Sequence, residues 1–162
     1  MEFSMSSSDR SNAMATGTAE PSMIDMALEV VQLPVSDVDR AKRFYESLGW
    51  RFDIDLVVSD DFRTVQFTPP HSACSIQFGR GRTTAEPGSA QGMFLVVSDI
   101  EAARADLVRR GVEVSEVAVR RPPGLEAPGR SYFAQATFSD PDGNGWILQE
   151  VTSRLPGRAW ED

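Results

Sequence analysis

Cysteine and histidine each occur once, as Cys74 and His71, and no apolar run approaches the length of a membrane span. A lone cysteine excludes an intrachain disulfide and a thiolate zinc cluster, and Cys74 reads as a small buried strand residue rather than a reactive thiol. Without a spanning run or a charged, apolar and small-residue opening, the expectation is a soluble, cytoplasmic protein with no membrane partner. Positive charge is also in short supply: 16 Lys and Arg stand against 24 Asp and Glu, a net charge of −8. That balance argues against nucleic acid, whose binding depends on neutralising phosphates with basic side chains. Arg109-Arg110 and Arg120-Arg121 are local exceptions and read as solvated helix ends or loops. The partner left is a small organic ligand.

What is present is a stretch that occurs twice. Val35-Ser36-Asp37-Val38-Asp39-Arg40-Ala41-Lys42 runs on to Leu48-Gly49, and Val97-Ser98-Asp99-Ile100-Glu101-Ala102-Ala103-Arg104 runs on to Arg110-Gly111. Each copy follows an apolar run, so each predicts a strand, an Asp-capped helix and a glycine stop. Identities at Val35/Val97, Ser36/Ser98, Asp37/Asp99, Ala41/Ala103 and Gly49/Gly111 point to internal duplication. Two copies are too few for a solenoid, so the modules should pair with each other or with a second chain.

Residues 1–25 lack periodicity and read as a disordered arm, with Ser11-Asn12-Ala13 before Met14 resembling a cloning remnant. Residues 26–79 form the first module: strand Leu28–Val35, a helix with apolar face Ala41, Phe44, Tyr45 and Leu48, then strands Trp50–Val58, Arg63–Thr68 and Ala73–Phe78. Pro34 places the opening strand at an edge or leaves it only partly paired there. Residues 80–91 are a linker, and residues 92–153 the second module. That module has strand Met93–Val97, a helix with apolar face Ile100, Ala103, Leu107 and Val108, and strands Val112–Val119, Ser131–Phe138 and Gly145–Val151. The Pro- and Gly-rich loop 121–130 is either a binding loop or a passive excursion. Residues 154–162 are an uninformative tail.

Leu33-Pro34-Val35-Ser36-Asp37 through Phe44-Tyr45, and Phe138-Ser139-Asp140-Pro141-Asp142-Gly143-Asn144-Gly145-Trp146, resemble the opening and closing signatures of the vicinal oxygen chelate superfamily. That group includes glyoxalase I, bleomycin-binding resistance proteins, fosfomycin-resistance enzymes and extradiol dioxygenases. The resemblance covers roughly residues 27–153. It implies an α+β fold of two βαβββ modules forming a cup-like open barrel, commonly in a homodimer. It does not by itself imply an activity.

In metal-using members four side chains hold a divalent ion. The matching positions are Val30, Gly92, Ile147 and a residue at or next to Gln77. Val, Gly and Ile offer no lone pair, and one amide cannot hold an ion that ordinarily has three protein ligands, so no metal and no cofactor is expected. A slip of two residues reaches only Gln32 and Gln149. His71, after Pro69-Pro70, reads as a surface turn residue.

Strand alternation instead lines the cup with Gln32, Pro34, Ser75, Gln77, Phe94, Ile147 and Gln149 as candidate ligand-binding residues. Val30, Gly92, Val96 and Gly145 share their parity, while Phe67, Phe138, Trp146 and Leu148 face the helices. Carboxamides among apolar walls suit a small, mostly uncharged molecule; the bland alternative is that the glutamines simply satisfy one another. Three functions follow in order: a metal-independent binding protein, a metal-independent tailoring enzyme of isomerase or lyase type, and, last, a metal-dependent lyase or dioxygenase. The second would need a proton-transfer group from His71, Tyr132 or the 121–130 loop.

Overall fold

The computed structural model describes residue 20, residues 22–125 and residues 129–154. Most of the N-terminal arm, residues 126–128 of the Pro- and Gly-rich loop, and the tail from residue 155 lie outside the described residues.

The first module runs β1 (Val30–Gln32), α1 (Val38–Ser47), β2 (Arg51–Ser59), β3 (Phe62–Thr68) and β4 (Ser75–Phe78). The second runs β5 (Met93–Val97), α2 (Ile100–Arg109), β6 (Ala118–Val119), β7 (Ala134–Ser139) and β8 (Gly145–Glu150). Each makes a four-stranded mixed sheet, in the orders β1-β4-β3-β2 and β5-β8-β7-β6. The first strand of each module pairs parallel to its last, and the remaining pairs are antiparallel. Neither sheet closes on itself, which leaves an open, cup-like α+β architecture.

The duplicated helix starts behave alike. Asp37 accepts a hydrogen bond from Arg40 N at 2.9 Å, and Asp99 accepts one from Ala102 N at 3.0 Å. Each thereby satisfies an amide of the first helical turn. Gly49 and Gly111 follow the two helices with φ of 74° and 89°, the left-handed conformation that ends a helix without a Cβ penalty.

Period-two alternation sorts the sheets into two sides. Val65, Phe67, Ile76 and Phe78 from the first sheet, and Ala134, Ala136, Phe138, Trp146 and Leu148 from the second, are buried on the helix side. The modules join there through aromatic rings. Trp50 and Trp146 meet edge to face at 5.2 Å, and Tyr45 packs against both.

Several boundaries differ from the sequence expectation. β1 is three residues long: Leu28 is exposed, and past Gln32 only Leu33 N still reaches Gln77 O, at 2.8 Å, before Pro34 offers no donor. Cys74 sits half-buried in a bend ahead of β4, where Ser72 Oγ bonds both its N–H and its carbonyl. Residues 112–117 are not a regular strand, because Ser115 Oγ takes the Thr137 amide that a ladder partner would use. Residues 131–133 form a turn in which Tyr132 adopts φ of 68°, so β7 begins only at Ala134. Val108 is exposed, which leaves Ile100, Ala103 and Leu107 as the packed face of α2.

Candidate functional site

The opening and closing signatures meet in space, and their work is structural. Asp140 is buried and accepts from Tyr45 Oη at 2.9 Å, Asn144 Nδ2 at 2.7 Å, Asp142 N at 3.0 Å and Asn144 N at 2.9 Å. Trp146 Nε1 donates to Tyr45 Oη at 3.2 Å. Asn144, fully buried, also donates to the carbonyl of Pro34 and accepts from Ala90 N. Asp142 accepts from Ser36 Oγ and pairs with Arg40 at 3.0 Å. Burial, reinforced by the Asp140 carboxylate, pushes the Tyr45 hydroxyl well above its ordinary pKa. This network bolts the two modules together on the helix side. Pro34, a candidate for the cup, is buried at this seam, where its carbonyl also accepts from Gly88 N at 3.1 Å.

The opposite side of the first sheet carries a ladder of amides. Gln32 and Gln77 are register partners across β1 and β4, and Gln77 and Gln66 across β4 and β3. Gln32 Nε2 donates to Gln77 Oε1 at 2.7 Å, Gln77 Nε2 to Gln66 Oε1 at 2.6 Å, and Gln66 Nε2 to Asp53 Oδ2 at 3.0 Å. Thr68 Oγ1 donates to the same Asp53 oxygen and shares a 2.7 Å hydrogen bond with Ser75 Oγ. Arg82, from the segment between the modules, donates to Gln77 Oε1 at 2.7 Å. Alternation alone would put Asp53 on the helix side beside Asp55. The register shift between Phe52 and Ile54 turns it to the amide side instead. Burial alone would raise its pKa, but hydrogen bonds from Thr68, Arg51 and Gln66 hold the carboxyl below its usual value.

The second sheet presents a more apolar surface on the matching side. Phe94 is register partner to Ile147, and Val96 to Gln149; Phe94 and Val96 are 51% and 45% exposed. Gln149 does not join the amide ladder, since its Nε2 donates to Tyr132 O at 2.8 Å. Ser75 and Phe94 line an apolar cavity of about 270 Å³ together with Val31, Ile76, Met93 and Trp146. A larger, wide groove of about 900 Å³ is lined by Phe44, Arg104, Thr137 and Pro141 among others, and by none of the residues just named.

The sequence reading named Gln32, Ser75 and Gln77 in this region but missed Asp53, Gln66, Thr68 and Arg82. Gln66 could have been found from the parity of β3. Asp53 could not, because the bulge that turns it inward has no sequence mark. His71 is an exposed turn residue with φ of 60°.

The residues that the resemblance aligns with metal-ligand positions do not fit an ion. Val30, Gly92 and Ile147 have no donor atom, and the Gln77 carbonyl already accepts from Gln32 and from a guanidinium. Among the described residues no group of three or more His, Cys, Asp or Glu is placed to hold a metal.

A family model described as the Glyoxalase/Bleomycin resistance protein/Dioxygenase superfamily matches residues 27–148. The chain belongs to this superfamily. Among solved structures it is similar to TnmS3, an antibiotic binding protein from Streptomyces sp. CB03234, at 31% identity with a TM-score of 0.64. That match covers 80% of this chain and 99% of the other. A glyoxalase/bleomycin resistance protein from the same organism matches at 32% identity and a TM-score of 0.59, covering 76% and 99%. A superfamily member from Sphaerobacter thermophilus DSM 20745 matches at 27% and 0.60, covering 78% and 98%. No curated protein matches the chain. In this member of the superfamily, the residues of the opening and closing signatures form the seam network.

Proposed function

We propose that this superfamily member binds a small, mostly uncharged organic molecule in its cup without a metal ion, releasing it chemically unchanged. The single observation that carries this is the continuous amide ladder through Gln77, the residue at or next to one of the positions that the resemblance assigns to a metal ligand. Amides donate and accept without charge, so they suit hydroxyl, carbonyl and amide groups. The antibiotic-binding neighbour supports the same reading. Gln32, Ser75 and Gln77 would face one side of the ligand and Phe94, Ile147 and Gln149 the other, with Pro34 fixing the end of β1.

The exposed apolar residues Ile54, Leu56, Phe94 and Val96 lie on the sheet faces turned away from the helices. A homodimer in which a second copy covers them would complete the cup, as the superfamily resemblance implies. The competing reading is a metal-independent enzyme. Asp53 is a carboxylate on the ladder, yet its lowered pKa makes it a weak base near neutrality, which favours binding over proton abstraction.

Thermal-shift screening against neutral natural products, followed by recovery of the bound compound, tests the proposal. Stabilisation with the compound recovered intact supports it. Compound recovered as a rearranged or cleaved product, or near one equivalent of Ni, Zn, Fe or Mn in protein purified without chelator, overturns it.

A further inference from the structure

The direction of the amide ladder is fixed at both ends. Asp53 can only accept, so Gln66 must turn its NH₂ toward it and its carbonyl toward Gln77. Arg82 can only donate, so the Gln77 carbonyl must face Arg82 and Gln32. Reversing any one amide would set donor against donor or acceptor against acceptor, so the orientation of all three follows from the two charged ends. Two atoms are left over. Gln32 Oε1 is a solvent-shielded acceptor without a donor, and Arg82 Nε is a solvent-shielded donor without an acceptor. Both belong to groups bound to the same oxygen, Gln77 Oε1, each at 2.7 Å. Buried polar atoms are rarely left unpaired, and an unmatched acceptor and an unmatched donor on two side chains that share one oxygen offer the complement of one chemical group.

Resting on the binding function proposed above, we propose that Gln32 and Arg82 form a paired subsite for a ligand edge carrying an N–H or O–H donor next to a carbonyl oxygen. A lactam, a cis-amide or a hydroxyketone has that edge. The ligand donor meets Gln32 Oε1 and its carbonyl meets Arg82 Nε. The Arg82 guanidinium lies 5.5 Å from the centre of the Phe62 ring. Its long, flexible side chain is the part that yields to admit the ligand. Asp53 and Gln66 are positioning residues, since they set which end of Gln32 is offered.

The test uses two neutral fragments, isoquinolin-1(2H)-one and its N-methyl derivative, which differ in the donor and keep the carbonyl. Each is titrated into the full chain while the side-chain amide signals of Gln32, Gln66 and Gln77 and the Arg82 Nε–H signal are followed by NMR. The N–H lactam is expected to bind at least tenfold more tightly, equivalent to about 1.4 kcal/mol. Gln32→Met should bring the ratio near one, whereas Arg82→Met should weaken both fragments. The wild-type comparison needs no substitution, so a misfolded variant cannot obscure it. Equal affinities with shifts in the amide signals would overturn the paired subsite while leaving the cup as a binding site. No shift anywhere on the ladder with either fragment would overturn both.

Discussion

Replacing Asp140 by Ala removes the acceptor at the centre of the seam and should cost about 3–5 kcal/mol. The carboxylate takes four hydrogen bonds, from Tyr45 Oη, Asn144 Nδ2, Asp142 N and Asn144 N. Asn144 Nδ2 keeps the Pro34 carbonyl as a second acceptor, and Asp142 lies nearer the surface. That leaves the Tyr45 hydroxyl and the Asn144 backbone N–H as the buried donors stranded, at roughly 1–3 kcal/mol each. Loosening of the Tyr45, Trp50 and Trp146 packing adds to this. For a chain of this size each kcal/mol moves Tm by about 2–4 °C, so a fall of roughly 6–20 °C is expected. Urea unfolding followed by tryptophan fluorescence measures the loss, because Trp50 and Trp146 flank the network. Tyr45→Phe alone should cost about 1–2 kcal/mol, because Trp146 Nε1 then loses its acceptor. The double variant should cost less than the sum by at least about 1 kcal/mol, since both changes strike one network. A loss below about 1 kcal/mol for Asp140→Ala, or additivity in the double variant, would refute the claim that the signatures lock the modules.

Three further outcomes follow. Asp55 accepts from Arg63 and Lys42 at 2.9 Å, and these bonds, with the Arg63 pair foremost, depress its carboxyl pKa. The stability it adds is present above the unfolded carboxyl value of about 3.9 and disappears as pH falls below it. Asp55→Asn should therefore cost about 1–3 kcal/mol at pH 7, and pH-dependent unfolding curves should converge with wild type in acid. The raised pKa of Tyr45 has the opposite sign: its contribution is intact below about pH 10 and lost as pH climbs toward the folded value. In an ultraviolet titration Tyr45 should yield no phenolate signal before the chain unfolds, and Tyr45→Phe should leave the native-state titration unchanged. Leu56→Asp should shift sedimentation from dimer to monomer if a second copy covers the exposed apolar side, and an unchanged sedimentation coefficient would count against that cover.

The scaffold was legible because its signals are local. Asp37 and Asp99 mark helix starts through their own side chains, Gly49 and Gly111 mark the ends, and alternation put Phe67, Phe138, Trp146 and Leu148 on the helix side. Strand ends were less legible, because they depend on who takes each amide: Ser115 Oγ breaks one ladder, and the Tyr132 turn delays another. The candidate site was half legible. Parity found Gln32, Ser75 and Gln77, but a one-residue bulge turned Asp53 inward and a loop arginine reached Gln77 from outside any strand. Neither event has a period to read. Gln149 had the right parity but is held by Tyr132 O, a contact set by the unusual backbone of a turn.

Native mass spectrometry after incubating the chain with an organic extract of an actinomycete culture, such as a Streptomyces strain, bears most directly on the central claim. A bound organic molecule that leaves with unchanged mass, no accompanying metal, and loss of the adduct in Gln77→Leu are expected. An adduct that carries a stoichiometric metal, a released molecule of altered mass, or an adduct indifferent to Gln77 would contradict that claim.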